Sequence, residues 1–146
     1  MTEAEWRARI VEVARGQIGV RFQHQARAPG VALDCAGLLV HEFDSLGLPY
    51  VDLIGYPRLP YGGMIEKILG QQPSLQLINT HEADDGDVYL MRMFRLKDPM
   101  HVAIKSPHGI IHAYADSGRV VEHRMPSDWI PKIVNTYRIL RPAYAQ

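Results

Sequence analysis

The sequence predicts an α+β protein in which N-terminal helices pack on a C-terminal antiparallel β-sheet. Two observations support this class. The first half of the 146 residues carries apolar residues at helical spacing, and the second half consists of short β-rich runs separated by turn sequences. Helices followed by a group of strands are typical of α+β domains. The length fits a single domain over residues 1–146 with one hydrophobic core.

Composition narrows the possible partners. The formal net charge is zero and the pI is about 7.1, so bulk charge does not favour a nucleic-acid partner. No apolar run approaches the roughly 18 residues of a membrane span, and we expect no membrane insertion. The first residues lack the apolar core of a signal peptide, which predicts synthesis in the cytoplasm without general secretion. A single cysteine excludes an intramolecular disulfide.

The first helix is predicted directly after a capping box formed by Thr2 and Glu5. Apolar residues follow at helical spacing from Trp6 onward, and charged residues fall largely on the other face. We expect this packing helix to end near Gly16 or Gly19.

The second helix is predicted to begin at the only cysteine. Residues 20–33 are polar, rich in turn-forming residues and without a sustained period, and we interpret them as a loop leading to Cys35. Apolar residues then recur at helical spacing, and Gly47 is well placed to end the helix in the left-handed conformation. Cys35 therefore lies in the first turn of a helix.

The remaining elements follow from turn chemistry. Residues 48–63 are rich in Pro, Gly and Tyr and are predicted to form an ordered surface loop, followed by a short helix over residues 64–69. A turn from Ser106 to Gly109 predicts a hairpin. The strand-like runs cover residues 88–91, 101–104, 109–114, 119–123 and 134–140.

The surroundings of Cys35 suit a nucleophile. Unpaired N–H groups at a helix N-terminus lower the pKa of a thiol, and we expect this for Cys35. Asp34 would oppose ionisation unless its oxygens cap the helix, which is the role we assign to it. The small Ala36 and Gly37 would leave room for a substrate backbone, and the N–H of Cys35 is the best candidate for an oxyanion donor.

Two histidines could complete such a site. His101 starts one predicted strand and His112 lies in the next, so the hairpin can bring them together, one as base and one as its orienter. With Cys35 they form a Cys-His-His arrangement suited to acyl transfer to water, in which thiolate attack on an amide gives a thioester that is then hydrolysed.

Metal binding and surface roles are the alternatives for these residue types. The same thiol and two imidazoles could bind zinc, although no fourth ligand is evident. Residues 84–87 superficially resemble a calcium loop but lack its later ligands, so a turn before a strand is favoured. The remaining histidines are interpreted as surface or turn residues, with the first of them also a candidate for a substrate pocket: His24, His41, His81, His108 and His123.

The sequence resembles the NlpC family of cell-wall cysteine peptidases, which have a papain-like α+β fold. The resemblance rests on ordered blocks at residues 34–38, 86–88, 101–104 and 111–113. It implies that Cys35 is the nucleophile, His101 the base and His112 the third polar residue, with no cofactor. It also implies a peptidoglycan stem peptide as substrate.

Three further stretches resemble the branch of that family found in phage tails. They are residues 21–25, 55–60 and 86–92. This resemblance implies an enzyme folded in the cytoplasm, built into a virion with tail hub or baseplate proteins, and carried to the bacterial cell wall. Gene transfer agents use similar tails, so delivery by such a particle is the alternative.

The sequence departs from the family pattern opposite the nucleophile. Many relatives have an aromatic residue near the position of His24, and here Phe22 and His24 occur instead. We assign these two residues to the substrate or oxyanion side, together with Asp34 and Tyr56. Because of this departure, an alternative interpretation is that the protein has a structural role in tail assembly, with the same fold and little activity. An acyltransferase, or an amidase acting on another amide, is a third interpretation.

Overall fold

A computed structural model describes residues 1–52, 63–93 and 101–142 of the chain. Its α-helices in this part are α1 (Glu3–Arg15), α2 (Cys35–Leu46) and α3 (Met64–Gly70). The Thr2 hydroxyl accepts a hydrogen bond from the Glu5 N–H at 3.1 Å, which confirms the predicted start of α1. Gly47 ends α2 with φ of 68°, also as predicted.

The strands of the described residues form one sheet on which the helices pack. Their bounds are β1 (Arg21–Phe22), β2 (Arg27–Ala28), β3 (Ala32–Leu33), β4 (Leu75–Ile78), β5 (Val88–Met91), β6 (His101–Ser106), β7 (Gly109–Tyr114), β8 (Arg119–His123) and β9 (Ile133–Ile139). The spatial order is β2-β3-β1-β8-β7-β6-β5-β9-β4, and only β1 and β3 pair in parallel. The predicted α+β class is confirmed.

Two parts of the sheet differ from the prediction. The stretch interpreted as a loop, residues 20–33, contributes the two-residue strands β1, β2 and β3. The edge strand β4, which pairs only with β9, was not predicted. The strands β1, β2 and β3 are too short to show a periodicity of their own, and β4 forms by pairing with β9, about sixty residues further along the chain.

The two faces of the central strands belong to different clusters. Val102 and Ile104 of β6 pack in the main core with α1 and α2, whereas Ala103 packs in a smaller cluster on the opposite face. Alternation along a strand therefore places His101, and His112 of β7, on the face away from the helices. Cys35 of α2 therefore approaches the sheet from the helix side, whereas the two histidine side chains lie on the opposite face.

The block at residues 86–88 ties the first helix to the last strand. Asp87 is buried, and Arg138 donates to its two carboxylate oxygens at 3.1 and 2.9 Å while Arg7 donates at 3.4 Å. Gly86 has φ of 88° and lies against Ile10. Asp84 and Asp85 also have basic partners, Arg7 and Lys105. This stretch is a turn held by ion pairs, as favoured over a calcium loop.

No helix among the described residues is both long and apolar enough to cross a lipid bilayer.

Candidate active site

Cys35 is the first residue of α2, and Asp34 is its N-cap. One carboxylate oxygen of Asp34 accepts from the Gly37 N–H at 2.7 Å and from Arg27 at 2.9 Å. The side chain is buried and its bonds serve the helix start, as expected for a cap. The predicted capping role of Asp34 therefore matches the geometry.

The second oxygen of Asp34 ties a turn to the same place. It accepts from the Gln25 N–H at 2.8 Å. The turn is closed by a bond from the Ala26 N–H to the Gln23 carbonyl at 3.0 Å, and Gln25 has φ of 61°, an uncommon conformation for a residue with a side chain. His24 lies in this turn and is partly buried. One carboxylate thus positions both the start of α2, where Cys35 lies, and the turn that carries His24.

The thiol of Cys35 lies against the beginning of β6. The residue is partly exposed and packs against the main core, and the backbone N–H of Val102 interacts with its sulfur. That N–H belongs to the peptide link between His101 and Val102. The thiol from the helix side and the histidine from the opposite face therefore reach the same peptide unit.

The pKa of Cys35 moves opposite to the expected direction. Burial raises the pKa of the thiol to about 12, and the charge of Asp34 adds to the rise. The N–H groups of Val102 and Ala36 lower it, as a helix N-terminus should, but they are outweighed. At neutral pH Cys35 is a protonated thiol.

Three histidines form a continuous hydrogen-bonded chain on the opposite face of the sheet. His101 Nε2 lies 2.6 Å from His112 Nδ1, and His112 Nε2 lies 2.8 Å from His123 Nε2. His123 Nδ1 lies 2.8 Å from the Arg124 carbonyl oxygen. The structure brings His101 and His112 together as predicted. The hydrogen-bonded chain also contains a third histidine, His123, which was not predicted to belong to it.

Aromatic rings cover this chain of imidazoles. Tyr114 stacks on His112 with ring centroids 4.8 Å apart and planes at 19°. Trp129 lies edge-on to His112, His123 and Tyr114 at 5.5 to 5.9 Å. The rings restrict rotation of the imidazoles and keep water from the buried His112, so its partners are the other histidines.

Burial keeps the inner histidines neutral. It lowers the pKa of His101 to about 4, with a smaller contribution from charge on His123. It lowers the pKa of His112 to about 2, with further contributions from His101 and His123. A neutral imidazole is the form that can accept a proton, so His101 is in the basic form at neutral pH.

The other residues predicted to form the site differ in whether the structure places them near Cys35. Phe22 packs against the same core as Cys35. Gly37 does not provide room for a substrate, because a side chain there would meet the Ala26 carbonyl. Its missing side chain instead allows the Asp34-linked turn to approach α2. Tyr56 lies outside the described residues.

His123 was interpreted from sequence as a surface or turn residue, and the structure places it in the histidine chain. The signal that could have revealed it is spacing: each of the two His–His hydrogen bonds joins residues eleven positions apart. In two successive antiparallel hairpins, such spacing places one histidine diagonally across from the next.

The residues that could hold a metal are engaged with each other. Both ring nitrogens of His112 are within hydrogen-bonding distance of another histidine. Over residues 1–52, 63–93 and 101–142, no group of three or more His, Cys, Asp or Glu side chains is arranged to hold a metal ion. The hydrogen-bonded arrangement supports proton transfer better than zinc binding.

Solved structures with a similar arrangement of helices and strands include NlpC/P60 domains. The chain is similar to NlpC1 from Trichomonas vaginalis, with a TM-score of 0.66 and 18% identity over 95% of this chain and 45% of the other. It is also similar to the NlpC/p60 domain of the peptidoglycan hydrolase SagA, with a TM-score of 0.58 and 19% identity over 91% and 98% of the two chains. The fold is therefore of the NlpC/P60 type.

The same fold also occurs without catalysis. RipD from Mycobacterium tuberculosis, described as a non-catalytic NlpC/p60 domain protein adapted to peptidoglycan binding, matches with a TM-score of 0.58 and 16% identity over 90% of this chain and 95% of that chain. This chain spans less than half the length of the first solved structures that it matches. Neither a family model nor a curated protein matches the sequence. At these identities the likeness establishes the fold, and activity must be argued from the site.

Proposed function

We propose that this protein is a thiol hydrolase, an endopeptidase or amidase that cuts peptidoglycan stem peptides, with Cys35 as nucleophile and His101 as base. One observation carries the proposal. A partly exposed cysteine at a helix N-terminus lies against the peptide link that follows His101, whose Nε2 is held by His112 at 2.6 Å. Nucleophile, base and orienter in this relation are what covalent amide hydrolysis requires.

The chemistry starts from two neutral groups. Since Nε2 of His101 is bonded to His112, Nδ1 is the nitrogen left to accept the thiol proton. That proton moves to Nδ1 as the sulfur attacks the amide carbon, and the carbonyl electrons move to the oxygen. N–H groups of the first turn of α2, including that of Cys35, can donate to this oxyanion.

Collapse of the tetrahedral intermediate breaks the carbon–nitrogen bond, and the amine leaves with the proton held on His101. A water molecule then attacks the thioester while His101 takes one of its protons. The carbon–sulfur bond breaks, the acid is released, and the proton returns to the thiol. Water is the only co-reactant, and the enzyme is regenerated without a cofactor.

The substrate class is supported by similarity of fold. SagA and RipB from Mycobacterium tuberculosis are described as peptidoglycan hydrolases, and RipD as a peptidoglycan-binding protein. All three share this fold, and the blocks around Cys35, His101 and His112 resemble the same family. We therefore propose a murein peptide as substrate, in preference to another amide or an acyl transfer to a second acceptor.

The test is cleavage of defined stem peptides, followed by mass spectrometry of the products. We expect the wild-type protein to cut one amide bond and Cys35→Ala to lose cleavage by on the order of 10³-fold or more while remaining folded by circular dichroism. Unchanged cleavage by Cys35→Ala would remove Cys35 from the mechanism. Products of acyl transfer, or cleavage of other amides only, would redirect the substrate assignment.

A non-catalytic role is the second candidate, and the raised pKa of Cys35 is the observation that favours it. In that case the protein would be a structural or murein-binding protein with the same fold. The two candidates separate clearly: a wild-type protein that sediments with purified murein but cuts none of the peptides supports binding without hydrolysis.

We also propose delivery by a phage-type tail or gene transfer agent, with tail hub or baseplate proteins as partners and the bacterial cell wall as the place of action. Residues 21–25, 55–60 and 86–92 are the sequence basis for this route. Peptide mass spectrometry of purified tail particles would detect the protein there, and its absence from them would reject the route without affecting the hydrolase proposal.

A further inference from the structure

We propose that His123 is a positioning residue that fixes the direction of hydrogen bonding along the histidine chain, and thereby leaves Nδ1 of His101 free to act as the base. The inference rests on the proposed use of His101 as base, and it identifies what sets that base in the reactive tautomer. Neither the Cys-His-His prediction nor the similarity of fold assigns a role to His123.

The direction is set at the outer end of the chain. The Arg124 carbonyl oxygen can only accept a hydrogen bond, and His123 Nδ1 lies 2.8 Å from it. Nδ1 of His123 must therefore carry its hydrogen. In a neutral imidazole the other nitrogen, Nε2, is then an acceptor.

The same reasoning passes inward through two more rings. His112 Nε2 lies 2.8 Å from the acceptor Nε2 of His123, so it must be the donor. His112 Nδ1 is then an acceptor, and His101 Nε2 donates to it across 2.6 Å. This leaves Nδ1 of His101 without a hydrogen, which is the state that can take a proton from Cys35.

The alternative direction would disable the base. If a group at position 123 could only donate to His112 Nε2, then His112 Nδ1 would carry the hydrogen and donate to His101 Nε2. Nδ1 of His101 would be protonated before catalysis. Whether residue 123 accepts or donates a hydrogen bond therefore decides the tautomer of His101, to which it is connected through His112.

The backbone supports the placement of His123. Gly109, at the start of β7, has φ of 140°, and a side chain there would meet the His123 carbonyl and the backbone of the next two residues. Trp129 lies edge-on to His123 with ring centroids 5.5 Å apart. Close backbone approach on one side and an indole on the other hold the imidazole toward His112.

Two substitutions at one position separate acceptor from donor. In His123→Gln, the side-chain oxygen can accept from His112 Nε2, so we expect kcat to stay within a few-fold of wild type. In His123→Lys, the ammonium can only donate, and we expect kcat to fall by on the order of 10²-fold with KM nearly unchanged. His108→Lys, in the exposed β6–β7 turn, is the matched control for the added charge and should leave kcat unchanged.

Ring nitrogen-15 NMR reads the tautomer without any activity. We expect the wild type and His123→Gln to show His101 protonated at Nε2 and bare at Nδ1, and His123→Lys to show the reverse. A wild-type protein with His101 Nδ1 protonated, or a His123→Lys protein with wild-type tautomer and kcat, would overturn the inference. The wild-type spectrum decides even if a variant fails to fold. A correct tautomer in a protein that cuts no peptide would instead contradict the hydrolase proposal.

Discussion

The imidazole end of the proposed catalytic centre and its thiol end are held in different ways. His101, His112 and His123 come from three neighbouring strands and orient one another through side-chain contacts of 2.6 and 2.8 Å. Cys35 lies in the first turn of a helix, among backbone N–H groups and beside the Asp34 carboxylate. The imidazole end has a fixed direction, whereas the thiol end has an environment that opposes ionisation.

This difference indicates where the driving force for attack must originate. Burial keeps the pKa of Cys35 high and that of His101 low, so both groups are neutral near pH 7. In the proposed mechanism, proton transfer then accompanies attack on the substrate, and the oriented chain of histidines stabilises the imidazolium that forms. The proposed centre therefore depends on a prepared base, a neutral His101 already in its reactive tautomer, and not on a thiolate that exists before the substrate binds.

The largest effect on stability is expected when the support of the thiol end is removed. Asp34→Ala takes an acceptor from Gly37, Gln25 and Arg27 together, and we expect a loss of about 3 kcal/mol in the free energy of unfolding. Asp34→Asn keeps an acceptor for the cap and should lose less. It also removes a charge that raises the pKa of Cys35, so alkylation of the thiol should become faster at a given pH.

Urea denaturation and iodoacetamide labelling measure the two effects separately. Thr2→Ala, which removes the cap of α1 far from Cys35, is the matched control and should lower stability by about 1 kcal/mol without changing alkylation. Alkylation of the Asp34→Asn variant at the wild-type rate would show that the carboxylate does not restrain the thiol.

A smaller effect, of opposite sign, is expected at a buried acid outside the site. Glu42 of α2 is fully buried, and neither of its oxygens has a well-aligned hydrogen-bond partner among the described residues; the backbone of Ala14 and the charge of Arg9 compensate its burial only in part. Burial raises its pKa well above the ordinary value. We expect Glu42→Gln to raise the free energy of unfolding at pH 7 by about 1–2 kcal/mol.

The pH dependence of this gain has a defined sign. The folded protein holds the Glu42 proton more tightly than the unfolded chain does. The wild type therefore loses stability as pH rises above the unfolded pKa of about 4.3, and the gain from Glu42→Gln should vanish below it. Thermal unfolding across this range measures it, with the exposed Glu12→Gln as control. A gain that is equal at pH 3.5 and pH 7 would contradict the assignment.

Local signals in the sequence predicted the parts of the fold that depend on neighbouring residues. Asp34 and Gly47 mark the two ends of α2 by capping, and the turn after Ser106 sets the register that places His101 near His112. The strands β1, β2 and β3 escaped prediction because two residues each are too short to show periodicity, and β4 because its only partner, β9, is distant in sequence. The role of Gly37 did so as well, because only the fold brings the Ala26 carbonyl to it.

The properties that depend on three-dimensional surroundings were the hardest to predict. The helix N-terminus suggested a lowered pKa for Cys35, but burial and the charge of Asp34 reverse it. His123 looked like a surface residue because its partner, His112, is on the adjacent strand and its other partner is a carbonyl. A pattern of residue types locates the thiol and the proposed base but does not give the ionisation of either group or the tautomer of the imidazole.

The dependence of kcat/KM on pH tests the prepared-base account most directly, using a stem peptide whose own ionisable groups are blocked. In the His123→Gln protein, whose residue 123 cannot take up a proton and become a donor only, activity should hold from neutral pH downward and fall only as pH drops through the lowered pKa of His101, about 4, because protonation then removes the base. Circular dichroism at each pH confirms that the protein stays folded. A bell-shaped profile with both limbs between about pH 6 and 9 would indicate a preformed thiolate and imidazolium instead, and would contradict the account.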